Sequence, residues 1–235
     1  ARLRRALAAR GLDETVTFSF VGDREAQAFG GAAVRLANPI SSELVAMRPS
    51  LLPSLAAAVA RNQARALDDV ALFEVAAIYT AATAGGQEWA AAGVRAGRPT
   101  PRHWAVAERE ADAFDAKADA FAALEAAGLD PDKCGIARDA PGHYHPGRSA
   151  VLTLGRTVVA QFGELNPKLA KLFDWTGRLA AFEVFLDRLP RPKRKKTRAK
   201  PMLVASPFQP VDRDFAFLVD DAVAATSMTV AVISS

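Results

Sequence analysis

The chain has 235 residues, 50% of them hydrophobic, with a formal net charge of +4 at pH 7. This composition supplies enough apolar side chains for a sizeable core in one or two domains. No run approaches the roughly 18 consecutive apolar residues of a membrane helix, so we expect no membrane-spanning segment. The charge permits contact with nucleic acid without requiring it. Cys134 is the single cysteine, and its lack of an internal partner fits a reducing cytoplasm.

The N-terminal part is predicted to form a short basic helix over residues 2–10, ended by Gly11. Strict alternation over residues 14–21 then places Val16, Phe18 and Phe20 on one face, which predicts a half-buried strand. A short helix over residues 23–29 and a strand over residues 33–36 are expected to follow. Because the first residue is Ala and a helical pattern is still rising at the end of the chain, we expect a piece of a longer polypeptide.

The stretch from Asn38 to Thr80 has the clearest organisation. Ser50, flanked by Pro49 and Pro53, is predicted to cap a helix, since proline in a first turn removes no intrahelical hydrogen bond. Leu52, Leu55 and Val59 recur at helical spacing on the face expected to be buried. The apolar run over residues 70–79 is long enough to cross a buried sheet.

The rest of the chain is predicted to add more strands than helices. Strands are expected over residues 87–94, 104–108, 150–154, 158–162 and 180–186. The pair around Gly155-Arg156-Thr157 is predicted to form a hairpin. A helix over residues 112–127 should bury a stripe of Phe114, Ala118, Phe121 and Leu124, and a second helix should begin at Asn166-Pro167. Several strands without regular intervening helices favour an α+β fold, an antiparallel sheet with flanking helices.

The segment of residues 190–204 is predicted to be a basic linker. Its charged run over residues 191–200 would attract a phosphate backbone without reading sequence, because it has no aromatic side chain for stacking on bases. A solvated linker is the alternative interpretation. The candidate backbone contacts are Lys193, Arg194, Lys195 and Lys196. Beyond the linker, a strand over residues 213–220 and a helix from residue 224 are expected.

Candidate metal ligands are few. His143 and His145 could bind a metal with His103 or Cys134, but the sequence has no Cys-x-x-Cys pair, and a turn without metal is the favoured interpretation. Cys134 lacks a nucleophile motif and is expected to be packed rather than reactive. Neither Gly-x-x-x-x-Gly-Lys-Ser/Thr nor Gly-x-Gly-x-x-Gly occurs, so no phosphate-binding loop is predicted.

Three carboxylates, Glu74, Glu164 and Glu183, lie within or beside apolar strands. A buried carboxylate must be paired or shifted in pKa, which makes each of them a functional-site candidate. The alternative, which we favour, is that each faces solvent on an open strand face or pairs with an arginine.

Several motifs together resemble the β-subunit of bacterial phenylalanyl-tRNA synthetase, in order from about residue 2 to the end of the chain. In the first half they are Asn38-Pro-Ile-Ser-Ser-Glu, Met47-Arg-Pro-Ser-Leu-Leu-Pro, Leu72-Phe-Glu-Val and Phe114-Asp-Ala-Lys. In the second half they are His145-Pro-Gly-Arg-Ser-Ala, Phe162-Gly-Glu-Leu-Asn-Pro, Phe182-Glu-Val-Phe-Leu-Asp and Phe208-Gln-Pro-Val-Asp-Arg-Asp-Phe-Ala-Phe. At Asn166 the family usually has histidine, an exchange that keeps a competent helix cap.

The resemblance implies a class II synthetase-like core domain over residues 1–204. Residues 205–235 would be the truncated start of a ferredoxin-like anticodon-binding domain. The family works in the cytoplasm as an α2β2 heterotetramer that joins phenylalanine to tRNA, using ATP and Mg²⁺. Its aminoacylation site lies on the α-subunit, so no catalytic, cofactor or metal residue is expected in this chain.

The resemblance also predicts where an ATP site has been lost. Active class II enzymes place an arginine that grips ATP at the position of Thr80, and threonine cannot supply a bidentate cationic fork. Bulky residues from Phe182 onward replace a glycine-rich strand, and Arg188 alone does not restore the site. We therefore expect a non-catalytic module for assembly and tRNA presentation. A tRNA-backbone surface on residues 191–200 is the alternative, and an active adenylate-forming ligase is a weaker one.

Overall fold

The computed structural model describes residues 1–31, 33–190, 202–209, 211–220 and 223. The chain divides into two units, Ala1–Lys193 and Arg194–Ser235. In the first unit the described helices are α1 (Arg2–Ala9), α2 (Asp23–Ala28), α3 (Leu52–Gln63), α4 (Ala113–Ala127) and α5 (Ala170–Phe173). The strands are β1 (Asp13–Glu14), β2 (Phe20–Val21), β3 (Ala46–Met47), β4 (Val70–Tyr79), β5 (Gln87–Ala96), β6 (Gly135–Ala137), β7 (Tyr144–Leu154), β8 (Thr157–Leu165) and β9 (Leu179–Phe185).

In the second unit the described residues contain no helix or strand, so the strand predicted over residues 213–220 is wrong. The helix predicted from residue 224 and the basic run over residues 191–200, with its four candidate contacts, lie outside the described residues. The proposed domain boundary at residue 204 stays a prediction.

The main sheet has seven strands in the order β1-β4-β5-β9-β8-β7-β6. Every neighbouring pair is antiparallel except β1 and β4, which are parallel. This arrangement confirms the predicted α+β fold. The central strands are apolar along most of their length because helices cover both faces of the sheet, so neither set of alternating side chains faces water.

Different helices cover the two faces. On one face, Leu51, Leu52, Leu55 and Val59 from the start and body of α3 pack against β4, β5 and β9. On the opposite face, α4 packs against β8 and β9, and α1 packs against α4. No helix in the part of the chain that the structure describes is long and apolar enough to cross a membrane.

The buried face of α4 matches the predicted stripe only in part, since Leu124 is buried and Phe121 half-buried against the core, whereas Ala118 is exposed. Phe114 is exposed, and the buried positions are Ala116, Asp119, Ala120, Ala123 and Leu124. Small alanines let the helix approach the sheet closely, whereas a row of phenylalanines would hold it away. The predicted ends of α4 are right, since Asp112 caps its first turn and Gly128 follows it with a φ of 101°.

Two strands predicted early in the chain are not formed as expected. Residues 15–19 lie between β1 and β2 and are not themselves part of a strand, although the Thr15 amide donates to the Phe73 carbonyl of β4 at 2.8 Å. Val16 is 92% and Phe18 69% exposed. Residues 33–36 form only an isolated bridge between Arg35 and Ala46. Sequence alternation predicted the extended backbone but could not reveal that a neighbouring strand is missing.

The strand predicted over residues 104–108 is a loop, and Trp104 there is 93% exposed. By contrast, β4 has the predicted bounds, and β5, β9 and the β7–β8 hairpin lie where the sequence placed them. Asn166 accepts a hydrogen bond from the Lys168 amide at the predicted helix start.

Candidate functional site

A row of polar side chains crosses the sheet face that α3 covers. Glu74 of β4 lies opposite Ala92 of β5, Ala92 lies opposite Glu183 of β9, and Glu183 lies opposite Gln161 of β8. Residues directly opposite in adjacent strands project to the same side of a sheet. Two carboxylates and an amide therefore project from the same sheet face beneath the segment of residues 48–52 that leads into α3, with Ala92 between the two carboxylates.

Arg48 neutralises Glu74 at one end of this row. Its Nη1 lies 3.0 Å from Glu74 Oε1 and donates to Thr17 Oγ1 at 2.9 Å, while its Nε donates to the Ala77 carbonyl at 3.0 Å. Thr17 Oγ1 in turn donates to Glu74 Oε2 at 2.6 Å. Both charged side chains are almost fully buried. Burial without a partner would cost several kcal/mol per ion, so neither charge is available to a ligand.

Glu183 holds the start of α3 on the sheet. Its Oε1 accepts the Ser50 hydroxyl and the Leu51 amide, each at 2.9 Å, and its Oε2 accepts Gln161 Nε2 at 3.0 Å. Ser50 Oγ also accepts the Leu52 amide at 3.1 Å, so it acts at the helix start as predicted. Glu183 is fully buried, and no cationic side chain in the described residues forms an ion pair with it. Burial therefore raises its pKa above the usual value.

The three strand carboxylates thus differ in their surroundings. Glu164 is buried and pairs with Arg148 at 2.6 Å, with Arg178 at 3.7 Å on its second oxygen. The expectation of solvent exposure is wrong for all three, and arginine pairing is right for Glu74 and Glu164. Glu183 follows neither alternative, because its partners are neutral donors.

Thr80 and Arg188 occupy the two positions where the sequence placed lost ATP contacts. Thr80 directly follows β4, and its amide and hydroxyl both donate to the Gly86 carbonyl, at 2.7 and 3.2 Å. Arg188 follows β9, pairs with Glu88 at 2.8 Å and lies over the Phe185 ring at 3.9 Å from its centroid. Thr80 is uncharged and bonds to a neighbouring turn, and the Arg188 guanidinium is ion-paired with Glu88. Neither residue therefore offers an unpaired positive charge to a ligand on this face.

The candidate metal ligands lie in separate surroundings. His143 is buried between the rings of Phe29 and Tyr144, with both centroid distances at 4.8 Å, whereas His103 is on an exposed loop. His143 Nε2 and Tyr144 Oη have no hydrogen-bond partner in the described residues. Burial lowers the pKa of His143 to about 4. In the described ranges, no three His, Cys, Asp or Glu side chains are grouped as a metal site requires.

Cys134 is half-buried beside the core on the α4 side of the sheet. Burial and the nearby Asp130 raise the pKa of its thiol, which lowers the fraction of reactive thiolate.

Sequence reasoning missed the partners of these carboxylates. Gln161 stands alone among apolar residues of β8, and Arg48 lies between two apolar stretches, so both could have been marked as buried polar groups. Nothing in the pattern indicated which carboxylate each would contact, because the contacts join segments far apart in the chain.

The comparisons with known proteins agree in family. Residues 1–186 match the family described as "Phenylalanyl tRNA synthetase beta chain CLM domain". The phenylalanine–tRNA ligase beta subunit of Paramagnetospirillum magneticum is 51% identical over 96% of this chain, which corresponds to 29% of the relative. The same subunit from Rhodospirillum rubrum is 50% identical over 94% of this chain and 28% of the relative. The chain therefore spans under a third of the length of these relatives.

The fold is similar to that of class II synthetases. Two structures of pyrrolysyl-tRNA synthetase from Desulfitobacterium hafniense each superpose with a TM-score of 0.57, at 19% and 16% sequence identity. Each match covers 80% of this chain and 64% or 65% of the other. At this identity the similarity establishes the predicted synthetase-like fold and says nothing further about activity.

Replacing Glu183 should separate the need for hydrogen bonding from the cost of its charge. Glu183→Leu leaves the Leu51 amide and the Gln161 amide without partners and should lower the free energy of unfolding by about 2–4 kcal/mol. Glu183→Gln should cost less than about 1 kcal/mol, because the Gln161 amide can rotate to present its oxygen. Urea denaturation measures both, with the exposed Glu125→Leu on α4 as the control, expected within about 0.5 kcal/mol of wild type.

The pH dependence of Glu→Gln has a defined sign. When folding raises the pKa of a carboxyl group, the protein loses stability as the pH increases from the unfolded pKa, 4.5 for Glu183, through the folded pKa. The stability of Glu183→Gln relative to wild type should therefore increase as pH rises above 4.5. A constant difference between the two proteins would contradict this assignment.

Titration of His143 should make the protein less stable as the pH is lowered, the opposite direction to the effect of Glu183. Its pKa of about 4 in the fold, against 6.5 unfolded, means that stability is lost as pH falls from 6.5 toward 4, by roughly 3 kcal/mol in total. His143→Phe should remove this loss, because phenylalanine fills the same aromatic stack without a titrating group. Thermal unfolding at several pH values measures the effect, and the exposed His103→Gln is the control. Equal acid sensitivity of wild type and His143→Phe would refute it.

Proposed function

Because the chain belongs to the phenylalanyl-tRNA synthetase β-chain family, we propose that it is a non-catalytic assembly module of phenylalanine–tRNA ligase. The module would bind the catalytic α-subunit in an α2β2 assembly and help present tRNA to it. One observation carries this proposal: α3 packs on the sheet face, and the buried Glu183 ties the start of that helix to β9.

The residues on this face do not suit ATP. A triphosphate needs cationic donors and close approach to the backbone, whereas the face presents the buried carboxylates Glu74 and Glu183. Arg48 is ion-paired with Glu74, and Arg188 is ion-paired with Glu88. These contacts disfavour the weaker alternative of an active adenylate-forming ligase. ATP and Mg²⁺ would serve the α-subunit of the assembly.

The surface best suited to the α-subunit is the outer side of the segment of residues 15–19, which carries Val16 and Phe18. Val16 and Phe18 point outward, and their amides donate no hydrogen bond within the described part of the chain. Exposed apolar side chains beside unused backbone donors are what a partner needs to add a strand or an apolar face. We therefore place the α-subunit contact here.

A shallow groove lined by both apolar and charged side chains extends from this segment along α3. A cleft of about 200 Å³ lies between residues 17–21 and α3, and a second of about 360 Å³ continues toward α5. The clefts share Glu25, Ala57 and Arg61. Small residues on the outer side of α3 would let a partner helix approach closely. The segment and the groove together form one continuous docking surface.

The remaining expectations about the assembly stay predictions. A tRNA-backbone contact through Lys193, Arg194, Lys195 and Lys196 has no structural observation to favour it, since those residues lie outside the described ranges. A ferredoxin-like anticodon-binding domain beginning near residue 205 and a cytoplasmic location likewise stay predictions.

The docking surface can be tested with the double variant Val16→Ser/Phe18→Ser. Loss of two large apolar contacts of about 1.5 kcal/mol or more each should weaken binding to the α-subunit roughly 100-fold. Co-expression with the α-subunit, followed by affinity capture and size-exclusion chromatography, measures this loss. The folding of the isolated chain should not change, because both side chains are exposed.

Phe114→Ser is the matched control, since Phe114 is an exposed phenylalanine on α4, which packs on the opposite face of the sheet. It should leave association intact. Normal co-purification of the double variant, or equal loss for Phe114→Ser, would show that the α-subunit binds elsewhere.

A further inference from the structure

A surface loop on the α4 side of the molecule carries an unusual set of side chains. Residues 98–110 connect β5 to α4, and the Ala111 amide donates to the Gly97 carbonyl at 2.8 Å, which brings the two ends of the loop together. Gly97 has a φ of 69°, and a Cβ there would lie 2.5 Å from Asp69 Oδ1. The base of the loop is therefore fixed, and compact closed loops of this kind are often functional.

The loop and the end of α1 enclose a cleft of about 340 Å³. Its wall contains five arginines and the carboxylates Glu108 and Asp115, while Asp69 and Asp119 pair with wall arginines from outside the lining. We call this surface the arginine cleft, after the side chains Arg10, Arg95, Arg98, Arg102 and Arg109. None of these residues belongs to the polar row on the opposite face of the sheet or to the proposed docking surface.

Two of the five arginines, Arg10 and Arg102, keep donors for a ligand despite their ion pairs. Arg10 and Arg95 share the single buried carboxylate of Asp119, at 2.7 and 2.6 Å, so one positive charge there is not balanced within the trio. Arg102 is 83% exposed in its side chain and has only a 3.4 Å contact with Glu108. Arg98 pairs with Asp69 and Glu108, and Arg109 pairs with Asp115 through both of its terminal nitrogens. Because a guanidinium has five N–H donors, those left for an anion are mainly on Arg102 and Arg10.

An aromatic platform stands beside these donors. Trp104 is 93% exposed, and its ring stacks on His103 at a centroid distance of 5.6 Å and an angle of 29°. A tryptophan this exposed buries little of its own apolar surface in the fold. Arginines for phosphates beside an exposed aromatic ring for a base form the usual combination in proteins that bind single-stranded nucleic acid.

We propose that the arginine cleft binds a phosphodiester chain and that Trp104 stacks on one unpaired base of it. An acidic peptide would satisfy the arginines but would leave the tryptophan ring without a matching planar partner. The proposal deepens the tRNA-presenting part of the proposed function, on which it rests, by naming a surface for the nucleic acid. Its test does not involve the α-subunit, so it can fail separately from the assembly role. It also differs from the basic run of residues 191–200, which contains no aromatic residue.

The test uses the full chain in a background where Lys193, Arg194, Lys195 and Lys196 are changed to serine, so that the basic run cannot contribute. Fluorescence anisotropy of a short fluorescein-labelled oligouridylate is followed as a function of salt. Arg102→Gln should reduce the slope of log K against log salt by about 0.7, the value for one phosphate contact on a single strand. Trp104→Ala should weaken binding at least about fivefold, and Trp104→Phe should restore most of it.

Controls and competitors separate the possible ligands. Arg156→Gln, an exposed arginine in the β7–β8 turn, should change neither slope nor affinity. Oligothymidylate in place of oligouridylate shows whether RNA and DNA are equivalent, and both results are compatible with a phosphodiester ligand. The proposal is overturned if the background protein does not bind, if Trp104→Ala binds as the background does, or if polyglutamate competes as well as the oligonucleotide.

Discussion

The buried carboxylate of Glu183 joins the central strand β9 to the first residues of α3, and the position of α3 decides what the sheet face can bind. Its partners are the Ser50 hydroxyl, the Leu51 amide and the Gln161 amide, all neutral donors. A helix N-terminus favours a negative charge, and here that charge belongs to the protein itself. The donors at the start of α3 are therefore satisfied by Glu183 and are not available to an anionic ligand.

Arg48 and Glu74 repeat this arrangement one strand further along. In the sequence, Arg48 belongs to a stretch that resembles part of a class II ATP site. In the fold, its guanidinium donates hydrogen bonds to Glu74, Thr17 and the Ala77 carbonyl. We propose that a synthetase-like frame has become a scaffold in this way: groups that could meet a nucleotide are satisfied inside the protein. The function then moves to the outer surfaces, where Val16, Phe18 and the arginine cleft are exposed.

The sequence predicted the elements whose burial follows from local pattern. The strand β4, the β7–β8 hairpin and the caps of α4 at Asp112 and Gly128 depend on neighbouring residues, so periodicity and turn chemistry were sufficient. The segment of residues 15–19 was mispredicted because alternation specifies an extended backbone but not a partner strand. The predicted α4 stripe was right for Leu124 and wrong for Phe114, because close packing against the sheet favoured alanines. Glu183 could be marked as unusual, but its neutral partners come from segments distant in sequence and could not be predicted.

Titration calorimetry of the intact chain with ATP, and separately with phenylalanine, tests most directly whether this face is closed. We predict no binding of either ligand tighter than about 1 mM. Arg48 is already ion-paired with Glu74, Glu183 adds a carboxylate to this face, and α3 covers the sheet. Micromolar binding of ATP, lost when Arg48 or Arg188 is replaced by glutamine, would contradict the proposal of a closed, non-catalytic face.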